Sequence, residues 1–260
     1  MISFMPEEID TTAQSAWWAN YWRESRRPLA SLYFVLPLLA VYEGGVLVLG
    51  PHAVRNGADV WMRYLLDRVG FGQYFFLPLL TIGLLLAWHH ISHDRWRVPI
   101  LVLYGMCLEC CALASGLVVI GFMQHRALEG LAGSAARGAI SASLVASKAE
   151  LFLGQLSGYF GAGLYEEVLF RLLLLPLVVS LFKLAGARPP WPIVGAILTT
   201  SLIFSAAHYV GKYGDEFQLF SFVFRMVAGG FFATLFVYRG FGIAAGTHAL
   251  YDIFVGFYFN

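Results

Sequence analysis

The sequence predicts an all-α protein, a polytopic membrane bundle of about seven to eight transmembrane helices. Three observations carry that reading. The 260 residues are 59% hydrophobic and 13% charged, against about 45–50% apolar and about 25% charged for an average soluble domain. Mean hydropathy is +0.69. Apolar runs recur at lengths near the roughly 20 residues that cross a hydrocarbon core, parted by short polar or aromatic intervals. The chain has length for about six to eight such spans and no room for a second soluble domain. Its net charge of +1 and lack of a basic stripe argue against a nucleic-acid partner. The lipid bilayer is the expected surrounding, with the chain an integral multi-pass protein of the cell (inner) membrane. Met1 to Asp10 is acidic and has no apolar core, so no cleavable signal peptide is expected.

In chain order, residues 1–28 form an N-terminal unit. Trp17, Trp18, Tyr21 and Trp22 beside Arg23, Arg26 and Arg27 suit a helix lying in the membrane interface. Span one, about 29–50, carries Glu43 beside Gly44 and Gly45, an acid at membrane depth. Residues 51–73 mix Trp61, Tyr64 and Leu65 with Arg63, Asp67 and Arg68 and read as an amphipathic connector. Span two, about 74–88, runs into His89-His90-Ile91-Ser92-His93-Asp94. On a helix His89 and His93 form an i, i+4 pair of the kind that holds a metal. The surrounding Trp and Arg instead favour an interfacial loop. Span three, about 98–123, holds Cys107, Cys110 and Cys111, read as small packing residues, and Glu109, a candidate partner for an arginine elsewhere. A Gly- and Ser-containing interval at 124–147 marks the boundary between an N-terminal half, 29–145, and a C-terminal unit, 146–260. That unit opens with a helix from Ala146 to Phe160, separated at Gly161 to Gly163 from the helix that follows. After the turn Arg188-Pro189-Pro190-Trp191-Pro192, span five covers about 192–210 and span six about 217–238, and a last span bears His248 and Asp252. Lys and Arg outside the spans divide nearly evenly between the two sides, so topology is undetermined beyond a weak preference of Arg23, Arg26 and Arg27 for a cytoplasmic N-terminus.

The chemistry concentrates in Gly163-Leu164-Tyr165-Glu166-Glu167-Val168-Leu169-Phe170-Arg171, where three ionisable groups enter an apolar run. Such groups at membrane depth are costly, and are usually paired and functional. On a helix Glu167 and Arg171 lie within about 40° of each other, while Glu166 points about 140° away from Arg171. Glu167 is therefore expected to be neutralised by Arg171. Glu166 must find another partner or stay unpaired, which makes it a candidate general base. The alternative for all three is a buried pair that only locks two helices together. His208 and His248 add imidazoles on two later spans, with Phe204 one turn before the first and Asp252 one turn after the second. Glu166 with His208 could hold and deprotonate a water, and His248 could face a substrate carbonyl. No G-x-S-x-G and no HExxH motif occurs, so a serine or zinc mechanism has no visible residues to carry it.

Glu166-Glu167-x-x-x-Arg171, Phe204-x-x-x-His208 and His248-x-x-x-Asp252, in that order on successive apolar helices, resemble the CPBP family. These are the CAAX-protease and bacteriocin-processing (Abi) intramembrane glutamic endopeptidases. The run Val237-Tyr238-Arg239-Gly240-Phe241-Gly242 into Thr247-His248 is also similar to the family's approach to its last motif. The resemblance covers about residues 146–260. It implies core helices around a polar cavity open to one side of the membrane. It further implies a water activated by Glu166 and His208 without metal or other cofactor, and an oxyanion site formed by His248 and its partner Asp252. The implied substrate is a membrane-anchored protein or peptide. One departure is Asp252, where prenyl-protein endopeptidases of the family carry Asn. Either a protonated Asp252 donates to the oxyanion, or, the preferred reading, it orients His248 and leaves that role to the imidazole. A bacterial-type peptide or sorting-tag substrate is then at least as well supported as a prenylated one. A non-catalytic membrane scaffold or partner-binding protein is the alternative function; a transporter would be expected to show two related halves, and none is visible.

Overall fold

The computed structural model describes residues 11–53, 55–129, 148–211 and 214–258, and these form helices without a strand. Met1 to Asp10, Lys212 and most of the interval expected to divide the two halves lie outside the described residues.

Helix α1 (Thr11–Ser25) precedes α2 (Pro28–Leu49), which begins on a proline whose missing N–H is no loss in a first turn. It stops at Gly50. The connector at 51–73 contains a short helix, α3 (Gly57–Arg68), started by Asn56, whose side chain accepts from the Ala58 N–H at 2.8 Å. α4 (Phe76–Ile91) and α5 (Ile100–Glu129) follow. The sequence reading separates the first helix of the C-terminal unit from the Glu166 segment at Gly161 to Gly163, but α6 (Lys148–Gly161) runs on into that segment without a break. The chain stays helical through two π-helical turns, Ala162–Glu166 and Val168–Leu174, into α7 (Leu175–Leu184). The glycines there serve close approach instead of a break. A Cβ on Gly161 would sit 2.3 Å from the Tyr42 ring of α2, and one on Gly163 would sit 2.6 Å from the Ala249 backbone nitrogen. α8 (Trp191–Ala207), α9 (Leu219–Arg239) and α10 (Phe241–Tyr258) complete the fold. Gly240 joins the last two at φ +85°, with the space for its Cβ closed off 3.0 Å away by the Arg26 carbonyl.

Among the described residues, three helices are long and apolar enough to cross a membrane: Pro28–Leu49, Ile100–Ala127 and Leu219–Arg239. Phe76–Ile91, Trp191–Ala207 and Phe241–Phe257 are apolar but shorter. α10 is largely apolar and central, with Phe241, Ile243, Ala244, Ala245 and Ala249 buried. It packs against α2, α5, α9 and the first π turn. The outer helices expose Leu79, Leu101, Tyr104, Leu108, Leu177 and Leu198, an apolar surface suited to lipid.

Other acids and histidines at depth find separate places. Glu109 receives Arg239 through Nε and Nη2, both at 2.6 Å, and the Tyr21 hydroxyl at 2.6 Å, so its expected arginine partner is Arg239. α4 ends at Ile91, and His93 lies beyond it at φ 53°, so His89 and His93 do not form the i, i+4 face. His89 is buried against Trp96, ring edge to ring face. Of the cysteines, Cys110 is buried and donates weakly to the Ile243 carbonyl, while Cys107 and Cys111 are exposed.

Candidate active site

The two glutamates occupy the π-helical stretch at the middle of the rod from Lys148 to Leu184. A π turn hydrogen-bonds i to i+5 and is wider than an α turn, so it shifts the facing of side chains and recurs at functional sites. Glu167 and Arg171 nonetheless meet. Arg171 Nη1 lies 3.0 Å from Glu167 Oε1, and both residues are fully buried. The approach is ionic and not aligned as a hydrogen bond, since Nη1 has no bonded partner while Nη2 donates to the Gly229 carbonyl at 3.1 Å. Phe204, Phe232 and Phe170 surround the guanidinium at 4.4, 5.6 and 5.8 Å from their ring centroids.

The same Glu167 Oε1 accepts from His248 Nδ1 at 2.8 Å, joining the π turns to α10. His248 is stacked on Phe232 with centroids 4.4 Å apart and planes 13° from parallel. These contacts fix the ring and turn its Nε2 edge toward two further carboxyl groups. Asp252 Oδ2 lies 3.7 Å away and Glu166 Oε2 lies 3.9 Å away. Asp252 thus borders His248 as the i, i+4 spacing predicts.

His208 caps the end of α8 and places Nδ1 2.8 Å from the Phe204 carbonyl. A carbonyl only accepts, so Nδ1 carries the hydrogen and Nε2 of the neutral ring keeps its lone pair. That Nε2 lies 3.9 Å from Glu166 Oε2. Glu166 Oε2 is buried and has no hydrogen-bond partner in the protein, yet an imidazole edge stands 3.9 Å from it on each of two helices. Its other oxygen, Oε1, accepts from the side-chain amide of Asn56 at 2.8 Å.

The structure therefore brings Glu166, Glu167, Arg171, His208, His248 and Asp252 into one cluster. Arg225 on α9 stands apart from this cluster's ion pairs: it pairs at 2.5 Å with Asp215 and lies over the Tyr209 ring. Glu43 belongs to a neighbouring network, accepting from Arg63 at 2.9 Å and from the Tyr165 hydroxyl. Asn56 was not legible as a site residue. Asn ahead of Gly57-Ala58-Asp59 signals a helix start, and nothing in the sequence brings it to Glu166. A concavity of about 500 Å³ lined by Trp22, Arg23, Arg26, Arg27, Trp88 and Asp94 lies where α2 begins and α4 ends, and it includes none of the cluster. Among the described residues, no group of three His, Cys, Asp or Glu is arranged to hold a metal ion.

Residues 148–254 match the family model described as type II CAAX prenyl endopeptidase, Rce1-like. The matched segment contains the six clustered residues and agrees with the CAAX-protease resemblance carried by their motifs. Asn56, Glu43 and the whole of α3 lie outside it. No curated protein and no solved structure matches the chain.

Proposed function

We propose that this integral membrane protein, matched over residues 148–254 to a family of endopeptidases, hydrolyses a peptide bond of a membrane-associated protein or peptide. Glu166 is the base in this reading. One observation carries it: the buried, unpartnered Glu166 Oε2 stands 3.9 Å from His208 Nε2 and 3.9 Å from His248 Nε2. That separation is too long for a hydrogen bond and fits two ends of a bridge through one water molecule.

A water in that position donates one hydrogen to Glu166 Oε2 and the other to His208 Nε2, leaving a lone pair for the scissile carbonyl carbon. As the C–O bond forms, the proton passes to Glu166. The oxyanion faces the Nε2 edge of His248, which donates to it in the imidazolium form while Nδ1–H stays on Glu167. Glu166 then returns its proton to the departing amide nitrogen as the C–N bond breaks. Asp252, at 3.7 Å from His248 Nε2, orients the ring from its own helix. No step uses a metal; carboxyl and imidazole groups supply both proton transfer and oxyanion stabilisation. We place the substrate among membrane-anchored polypeptides, prenylated or not, because Asp252 stands where prenyl-protein endopeptidases of the resembled family carry Asn.

The test is co-expression with candidate membrane-anchored peptides, comparing wild type, Glu166→Gln and His208→Ala with and without a chelator. Cleavage by wild type that both substitutions abolish and a chelator leaves intact supports the reading. Full activity of Glu166→Gln removes the base and with it the mechanism. A wild type that cleaves no candidate favours the scaffold alternative.

A further inference from the structure

The base proposed above is held from outside the endopeptidase-like segment. Asn56 Nδ2 donates to Glu166 Oε1 at 2.8 Å across 110 positions of sequence. The orientation of that amide is not free. Asn56 Oδ1 accepts from the Ala58 N–H as the cap of α3, so the amino group, and not the carbonyl, is turned to Glu166. α3 is itself tied down by charge. Asp59, fully buried, accepts from Arg55 at 2.8 Å, from Arg63 at 2.6 Å and from the Tyr42 hydroxyl at 2.9 Å. Arg63 also donates to Glu43, which in turn receives the hydroxyl of Tyr165, the residue next to Glu166. Tyr165 and Glu166 are thus gripped from one side by the same short helix and its partners on α2.

We infer that Asn56 is a positioning residue for Glu166: its amide occupies Oε1 and so aims Oε2 between the imidazoles of His208 and His248. The inference rests on Glu166 being the base, and extends that reading to a residue on which the family motifs are silent. A carboxyl bound through one oxygen to a capped amide has a single orientation, whereas a carboxyl without that bond swings about its terminal torsion. Misplacing a reacting group by about 1 Å can cost about 100-fold in rate.

The experiment separates capping from aiming. Asn56→Ser keeps a cap oxygen but is too short to reach Glu166. Asn56→Asp keeps cap and shape but turns an acceptor on an acceptor. Full-length Asn56→Ser should lose about 10- to 100-fold in kcat with KM little changed. Asn56→Asp should lower the thermal midpoint by about 2–4 °C or more. The double variant Asn56→Asp/Glu166→Gln, which exchanges donor and acceptor, should regain the wild-type midpoint while staying inactive. Wild-type kcat in Asn56→Ser overturns the inference, as does a midpoint loss in Asn56→Asp that Glu166→Gln leaves unrepaired. The thermal arm needs no substrate, so it distinguishes the two failures. An active Glu166→Gln variant alongside a repaired midpoint means that the contact is real and the base is wrong.

Discussion

Glu166 and Glu167 are adjacent in sequence and have opposite environments. Glu167 lies between Arg171 at 3.0 Å and His248 at 2.8 Å, with no exposure. Removing one member of a buried ion pair strands the other charge, at a cost of about 3–5 kcal/mol. Arg171→Ala should therefore lower stability by about that amount, and thermal unfolding in detergent measures it. The paired variant Glu167→Gln/Arg171→Met should lose less than the two single changes added together, because no charge is left alone. Glu166 keeps one oxygen free of any protein partner. Glu166→Gln should consequently leave the thermal midpoint near wild type and lower cleavage by about 100- to 10,000-fold, the usual span for a lost general base. Stability loss without activity loss in Glu166→Gln would reverse the roles assigned to the pair.

At the scale of the element, the π-helical turns and α10 form one unit. Gly163 lies where a Cβ would meet backbone atoms of α10, 2.6 Å from the Ala249 nitrogen and 2.8 Å from the Ala245 carbonyl. Backbone atoms cannot swing aside as a side chain can. Gly163→Ala is expected to push the two helices apart, with an overpacking cost of about 1–3 kcal/mol. It should also depress cleavage, since the Glu167–His248 bond spans the same contact. Gly44, which has open space around it, is the matched control: Gly44→Ala should be neutral or better in the same thermal assay. Equal effects of the two substitutions would mean that this contact does not control the spacing.

For the whole molecule, the helices after residue 147 are bound to those before residue 130 near both ends of α2. Near the site the link is Asn56 to Glu166 and Tyr165 to Glu43. At the other end Arg239 on α9 joins Glu109 on α5, the Ser25 hydroxyl and the Trp22 carbonyl on α1. Residues 146–260 expressed alone should therefore be inactive, and co-expression with residues 1–145 should restore cleavage if the halves find each other. Tyr21 belongs to the second link. Burial, and then its bond to Glu109, push its phenol above the ordinary range. A group whose folded pKa is raised contributes fully below its unfolded value and loses that contribution as pH rises. Stability from this link should thus be complete below about pH 10 and decline at more alkaline pH. A Tyr21→Phe variant should lack that part of the alkaline decline in a pH series of thermal midpoints.

Composition and hydropathy were enough to determine that the chain is an all-helical membrane protein, because the bilayer admits few structures and marks them with long apolar runs. The spacing of Glu166, Glu167 and Arg171 was enough to divide the two glutamates, because helical periodicity orients side chains within a turn or two. Even there it was local knowledge. It expected a break at Gly161 to Gly163, where the neighbouring Tyr42 and Ala249 instead require close contact and the helix continues as π turns. Asn56 shows the limit most plainly. Its role as a helix cap is written in the residues beside it, but its bond to Glu166 joins positions 110 apart. No periodicity acts over that distance. Only the packing of α2 and α3 against the π turns, held by Asp59, Arg63, Glu43 and Tyr165, decides which carboxyl the amide reaches.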